Sequence, residues 1–289
     1  MIAVRLEGRL GNQLFQYAFI YSAAKRLNTS YYIDQYTTSS SVDKYFDTNM
    51  QLPGPLVAKV FSIKSFKNIF NFHLRRLYYK RLAQFHRLTI NQFTISDSFN
   101  DVALIDNCIY SGYFQSEIFF KNFEPQIHQW FTLKPEHKNA FHLKYNHLYQ
   151  NNRIVTIHVR RTDYQNLQHL NLGNADLTLP LGYYQNAISN LNDENTHFVF
   201  ITDDVPFVTH NFRFLTNKTI SADTEILDFQ HMMNADVCII SNSTFSWWGA
   251  WLNSNKNKTV YCPQYYLGYH LKKDFPPNIY PDDWKQIAY

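Results

Sequence analysis

The chain has 289 residues, 45% hydrophobic and 17% charged, which is enough apolar matter for one large α/β unit or two domains and argues against disorder. A formal net charge of +4, from 27 basic and 23 acidic residues, does not announce a nucleic-acid protein, which would carry a clustered basic face. The three cysteines, Cys108, Cys238 and Cys262, are widely spaced with no Cys-x-x-Cys pair, so free buried thiols in a reducing compartment are expected.

Residues 2–6 read as an apolar strand that begins at once, without the basic and apolar regions of a signal peptide. No window approaches the ~18 apolar residues of a spanning helix, so the expectation is a soluble, cytoplasmic protein. The strand runs into Glu7-Gly8-Arg9-Leu10-Gly11-Asn12-Gln13 and then a helix over 14–27. Gly8 and Gly11 allow a backbone to approach a ligand, and Asn12 and Gln13 offer directional donors. A pair of glycines is also common in ordinary loops, and Arg9 interrupts the dinucleotide fingerprint. A strand at 31–33 completes a βαβ opening, whereas 35–88 resists assignment.

Residues 48–96 contain no Asp or Glu but carry Lys59, Lys64, Lys67, Arg75, Arg76, Lys80, Arg81 and Arg87 among many aromatics. Two readings stand: an amphipathic surface for anionic lipid, or a solvated helical face. A short strand at 108–111 and helical stretches at 115–131 and 135–148 follow. The polar run Gln150-Asn151-Asn152 sets an expected boundary between an acceptor-side α/β domain at 1–150 and a donor-binding domain at 151–289, whose last residues are candidates to pack back on the first.

Beyond that boundary, strands at 153–159, 197–202, 235–241 and 258–262 alternate with helices at 181–191, 223–233 and 243–252. This is the pattern of a doubly wound parallel sheet, whose ligands bind at the carboxyl ends of the strands. At those ends stand the polar groups. His158 closes the first strand and Arg160-Arg161 follow it, planar forks suited to phosphate oxygens. The alternative is a structural ion pair between Arg161 and Asp163 beyond the strand end. Asp203 and Asp204 end the next strand, where carboxylates can accept from a base edge or ribose, hold a hard cation, or cap a helix. After the third strand, Ser241-Asn242-Ser243-Thr244-Phe245-Ser246 makes a hydroxyl-rich turn into a helix N-terminus, a natural anion cradle. Plain capping by Ser243 is the alternative, and Trp247, Trp248 and Trp251 read as core. Together these features suggest a nucleotide-bearing donor gripped by arginines.

The motifs Gly8-Arg9-Leu10-Gly11-Asn12-Gln13-Leu14-Phe15-Gln16-Tyr17-Ala18, Gly112-Tyr113-Phe114-Gln115-Ser116, His158-Val159-Arg160-Arg161-Thr162-Asp163 and Ser241-Asn242-Ser243-Thr244-Phe245-Ser246-Trp247-Trp248-Gly249 resemble those of the bacterial α-1,2-fucosyltransferases, in family order. The resemblance implies a GT-B fold, two Rossmann-like domains facing each other across a donor cleft. It also implies metal-independent, inverting transfer of fucose from GDP-β-L-fucose to a galactose 2-hydroxyl in O-antigen or surface glycan synthesis. By similarity, Arg160 with Arg161 contacts the diphosphate and His158 with Asp203 or Asp204 holds guanine. The 241–246 turn lines the donor and Asn12 lies over the reacting sugar. Glu7 and Asp163 are candidates for the general base, Asp163 alternatively orienting Arg160. No cofactor or metal is expected; the acceptor is a β-galactoside glycan, with a lipid-linked form and peripheral membrane contact through the basic segment as further expectations. Another nucleotide-sugar donor, or a carbohydrate-binding protein without turnover, are the competing readings.

Overall fold

The computed structural model describes residues 1–48, 68–93, 103–189, 191–221 and 223–288. The chain forms two compact units, Met1–Thr132 and Leu133–Tyr289. Lys59, Lys64 and Lys67 lie outside the described residues.

In the first unit, β1 (Ile2–Arg5) leads into α1 (Leu10–Leu27) and β2 (Tyr31–Asp34). After α2 (Val42–Tyr45) come α3 (Asn68–Phe85), β3 (Thr89–Gln92), β4 (Cys108–Ser111) and α4 (Glu124–Trp130). The strands pair in parallel in the order β2-β1-β4-β3. Helix α1 starts four residues before the expected 14–27, taking Gly11 and Asn12 into its first turn. Its apolar side is buried, and Phe19 stacks on Phe114 at 3.7 Å between centroids.

The second unit opens with α5 (Pro135–Asn151), β5 (Arg153–Val159), α6 (Leu181–Ile188), β6 (Thr196–Thr202) and α7 (Val205–Asn211). It continues with β7 (Lys218–Ser221), α8 (Glu225–Met233), β8 (Val237–Ile239), α9 (Thr244–Trp251), β9 (Thr259–Pro263) and β10 (Lys285–Ile287). Helix α5 belongs here because Phe141, Tyr145 and Tyr149, spaced along one face, close over His231 of α8. Gln150-Asn151-Asn152 therefore ends that helix and enters β5, while the units divide at Thr132 and Leu133.

The second sheet is parallel throughout, in the order β10-β9-β8-β5-β6-β7. Counted from β5, this is the dinucleotide order 3-2-1-4-5-6, and it reverses direction between β5 and β8. Val155, Ile157, Phe198 and Phe200 meet Tyr183, Tyr184 and Phe212 in the core beneath one face. Trp247 and Trp248 are fully buried in the core, as their sequence context suggests, and all three cysteines are buried and free. Among the described residues no helix is long and apolar enough to cross a membrane.

Candidate active site

The reversal between β5 and β8 leaves a crevice at their carboxyl ends, and the two strongest sequence motifs flank it. His158, at the end of β5, is buried, and its Nδ1 lies 2.7 Å from Ser241 Oγ beyond β8. Phe245 packs against the imidazole with ring centroids 5.6 Å apart. Burial, reinforced by the nearby Arg160 charge, pushes the His158 pKa down to about 3, so the ring is neutral at neutral pH.

The arginines are braced by carboxylates rather than left mobile. Arg160 donates to Asp163 Oδ2 at 2.6 Å and has Asp203 Oδ2 at 3.4 Å. Burial works against its charge, but the bond to Asp163 and the field of Asp203 prevail and raise its pKa above the ordinary value. Arg161 donates through Nε to Asp204 at 3.0 Å and lies over the Phe207 ring at 3.8 Å.

Asp203 is the hub of this corner. Its Oδ1 accepts from the Arg161 backbone amide at 2.9 Å, and its Oδ2 accepts from the Thr162 amide and hydroxyl at 3.3 and 2.6 Å. Asp204 caps α7 through a bond from the Phe207 amide at 3.0 Å. Both carboxylates thus tie the turn after β5 to the end of β6, which is hydrogen-bonded to it along its whole length. The expected ion pair of Asp163 forms, but with Arg160.

The turn from Ser241 to Ser246 is almost wholly buried at its serines and Asn242. Ser243 occupies the N-cap position of α9 without a side-chain capping bond. Ser246 donates back to the Ser243 carbonyl at 3.1 Å. Asn242 donates to the Leu177 carbonyl at 2.8 Å, while its buried Oδ1 has no protein donor among the described residues. Thr244 and Phe245 open the first turn of α9, at the positive end of the helix dipole. Among the described residues no group of three or more His, Cys, Asp or Glu side chains could hold a metal ion.

The first unit has its own reversal, between β1 and β4, and the expected residues gather there. Glu7 accepts from Ser111 Oγ at 2.9 Å, and its backbone amide donates to Gln16 at 3.1 Å. Asn12 accepts through Oδ1 from Gln115 Nε2 at 2.9 Å. Gly8 has φ +73°, and a Cβ there would collide with the Asn12 side chain. The buried Gln13 donates to the carbonyls of Gly8 and Ser39 and accepts from the Ser41 amide, pinning the glycine turn to the segment after β2. Gly11 is buried within α1. Ser111 and Gln115 are the partners that sequence reasoning missed; Ser111 precedes the Gly112–Ser116 motif and Gln115 lies within it, about a hundred residues from the groups they hold.

On α3, Arg76 donates to Tyr36 Oη at 2.8 Å and Arg75 donates to Ser39, so both bind the loop after β2. Lys80 and Arg81 are exposed.

Two parallel α/β units, one with the dinucleotide strand order and a cluster of arginines and hydroxyls at its reversal, define a glycosyltransferase of the GT-B type. Solved fucosyltransferases share the fold. NodZ α-1,6-fucosyltransferase of Bradyrhizobium superposes with a TM-score of 0.50 at 13% identity, over 89% of this chain and 96% of that one. POFUT1 in complex with GDP gives 0.50 at 11% identity, over 90% and 97%. The chain belongs to glycosyl transferase family 11, whose model matches residues 1–288. Among curated relatives, the O-antigen biosynthesis glycosyltransferase WbnK of Escherichia coli is 26% identical over 90% of this chain and 92% of its own. An alpha-1,2-colitosyltransferase of Escherichia coli is 26% identical over 99% of both chains.

Proposed function

We propose that this glycosyltransferase moves L-fucose from GDP-β-L-fucose, with inversion and without a metal, to the 2-hydroxyl of a β-galactoside in a surface glycan. The observation that carries the reading is the pair of carboxylate-braced arginines after β5 together with the buried hydroxyl turn after β8, on the two strands that flank the reversal of the second sheet. That arrangement suits a diphosphate, and the α-1,2 linkage in the name of a relative matched over 99% of both chains supports the acceptor position. The acceptor oxygen attacks the anomeric carbon as the bond to the β-phosphate oxygen breaks, and GDP leaves with the electron pair. Charge grows on that phosphate, so the fixed Arg160 binds the transition state better than the ground state. Arg161 shares the diphosphate; His158 and the turn from Ser241 to Phe245 line the nucleoside and phosphate.

Asp163 orients Arg160, which leaves Glu7, held by Ser111, to take the acceptor proton. Asn12, held by Gln115, is assigned to the transferred sugar on the family resemblance. Asp203 and Asp204 act through the arginines as positioning residues. The second donor reading is the 3-deoxy analogue of fucose, GDP-colitose, favoured by the same relative.

Incubation with each donor and a β-galactoside, following GDP release and the new glycosidic linkage by NMR, tests the assignment. Transfer from GDP-fucose in EDTA supports it, transfer from GDP-colitose alone selects the second reading, and binding without GDP release leaves a carbohydrate-binding protein. Glu7→Gln is expected to lower kcat with the donor KM unchanged; wild-type turnover removes Glu7 from the mechanism. A peripheral membrane contact would draw on the exposed Lys80, Arg81, Leu77 and Phe85 of α3. Sedimentation with anionic vesicles that depends on salt supports it, and no sedimentation sinks it.

A further inference from the structure

We propose that a cavity at the far end of α1 is a second carbohydrate site, which takes a pyranose ring of a glycan chain outside the catalytic crevice. The cavity has a volume of about 400 Å³, within the range of small-molecule sites. Its walls are Tyr21, Tyr31 and Trp130, and its rim carries Lys25, Asn28 and Ser30. All belong to the first unit.

The walls are aromatic and incompletely covered. Trp130 meets Tyr21 at 4.2 Å and 59°, and Tyr31 at 6.2 Å and 49°, so the rings open as a tilted cup rather than closing face to face. All three remain half-buried, unlike the fully buried Tyr17, Trp247 and Trp248. Lys25 holds its ammonium 5.5 Å from the Tyr21 ring. Asn28 sits in the left-handed conformation that ends α1, and its side chain and that of Ser30 are exposed at the mouth.

This combination selects a ligand class. A pyranose presents a face of C–H groups, which an aromatic wall covers, and a rim of hydroxyls, which amide, hydroxyl and ammonium groups bind. A purely aliphatic ligand would leave the polar rim unsatisfied, and a diphosphate would ask for more than the single ammonium lining the cavity. The chain's 21 Tyr, 24 Phe and 5 Trp make an aromatic excess that the catalytic crevice does not use up; this cup is where part of it reaches solvent.

The location separates the two sites. Asn12 lies in the first turn of α1 and Asn28 at its end, so at 1.5 Å per residue they stand roughly 24 Å apart along the helix. The cup lies at the amino ends of β1 and β2, opposite the edge that carries Glu7. Its role is to hold a remote sugar of a long acceptor. The proposal takes from the transferase reading only the glycan as ligand class.

The test uses full-length protein carrying Arg160→Ala, so that turnover cannot confuse binding. The Trp130 indole N–H resonance, assigned by Trp130→Phe, is followed during titration with methyl β-D-galactoside, methyl α-L-fucoside, N-acetylglucosamine and lacto-N-neotetraose. At least one probe is expected to shift it, and isothermal titration calorimetry with that probe, which needs no indole reporter, is expected to give binding about tenfold weaker in Trp130→Ala, the loss typical of a truncated aromatic anchor. Asn28→Ala, at an exposed position, is the second variant, expected to weaken binding a few-fold with folding intact. No shift with any probe, or unchanged affinity in both variants, overturns the proposal. In protein with Arg160 intact, kcat on a monosaccharide acceptor is expected to be unchanged by Asn28→Ala. A shift of Trp130 in a protein that never releases GDP from GDP-fucose retains this site and rejects the fucosyl-transfer reading.

Discussion

Asp203 decides between two roles for the acid at the end of β6, and the bonds it makes give the size of the effect. Its carboxylate accepts from two backbone amides and one hydroxyl and lies 3.4 Å from Arg160, on a side chain only 20% exposed. Hydrogen bonds to a charged group contribute ~1.5–3 kcal/mol each, but bonds that share one carboxylate are not additive, and water reaches part of this one. Asp203→Ala is therefore expected to cost about 2–4 kcal/mol of stability and to release the turn that aims both arginines. Asp203→Asn keeps one acceptor and turns an amide toward the remaining donors, so its cost falls below that of alanine. Stability is read as a shift of the urea midpoint at constant m. GDP release from GDP-fucose is read as kcat and KM separately. A brace predicts a fall in kcat together with stability, in both variants. If Asp203→Ala unfolds at the wild-type midpoint with wild-type kcat and only the donor KM rises, the carboxylate reads guanine and the bracing argument is refuted.

Arg160→Lys keeps the charge and loses the fork shared between Asp163 and a ligand; kcat is expected to fall by ~100-fold or more, and near-normal single-turnover rates would remove Arg160 from the transition state. Gly8→Ala places a side chain at φ +73° against Asn12, so it is expected to cost about 1–2 kcal/mol and to lower kcat as well; a variant with unchanged melting and turnover would contradict the close approach. His158 makes stability depend on acid. Its folded pKa of about 3 lies below the ordinary value near 6.5, so the unfolded chain binds the extra proton between them and stability falls as pH drops through that window. Relative to His158→Gln, the wild type is expected to lose about 2 kcal/mol between pH 7 and pH 5, at ~1.4 kcal/mol per unit of pH below 6.5; parallel curves would show that the buried ring is not the acid-sensitive group.

The elements that the sequence marks clearly are those buried on both faces. β5 matches the expected 153–159 residue for residue, because Ile154, Val155, Ile157 and Val159 interrupt their apolar run only with Thr156 and His158, both buried. Strands β3, β7 and β10 escaped because Thr-Ile-Asn-Gln, Lys-Thr-Ile-Ser and Lys-Gln-Ile are short edge segments whose pairing comes from the sheet and not from local propensity. The start of α1 differs from the expected 14–27 for a related reason: Gly11 and Asn12 favour turns locally, and packing of the helix against β1 and β2 carries them into it. The expected site residues of the second unit gather because they sit one step beyond neighbouring strands, a placement that follows from strand order. The links from Ser111 to Glu7 and from Gln115 to Asn12 join residues a hundred positions apart, and no local pattern encodes them.

Those two links carry a consequence for how such a chain can diversify. β1 and β4 are direct neighbours, yet some hundred residues of chain leave one and return to the other. Closing a flexible loop costs free energy only as the logarithm of its length, about 0.6 kcal/mol per doubling. The connections within that stretch, unlike α1, β2 and β3 themselves, can therefore be lengthened or shortened at little thermodynamic expense while Glu7 and Asn12 keep their partners. Acceptor preference can then evolve in those connections under weak constraint, with Glu7 just beyond β1 and Asn12 in the first turn of α1 held by Ser111 at the end of β4 and Gln115 beyond it.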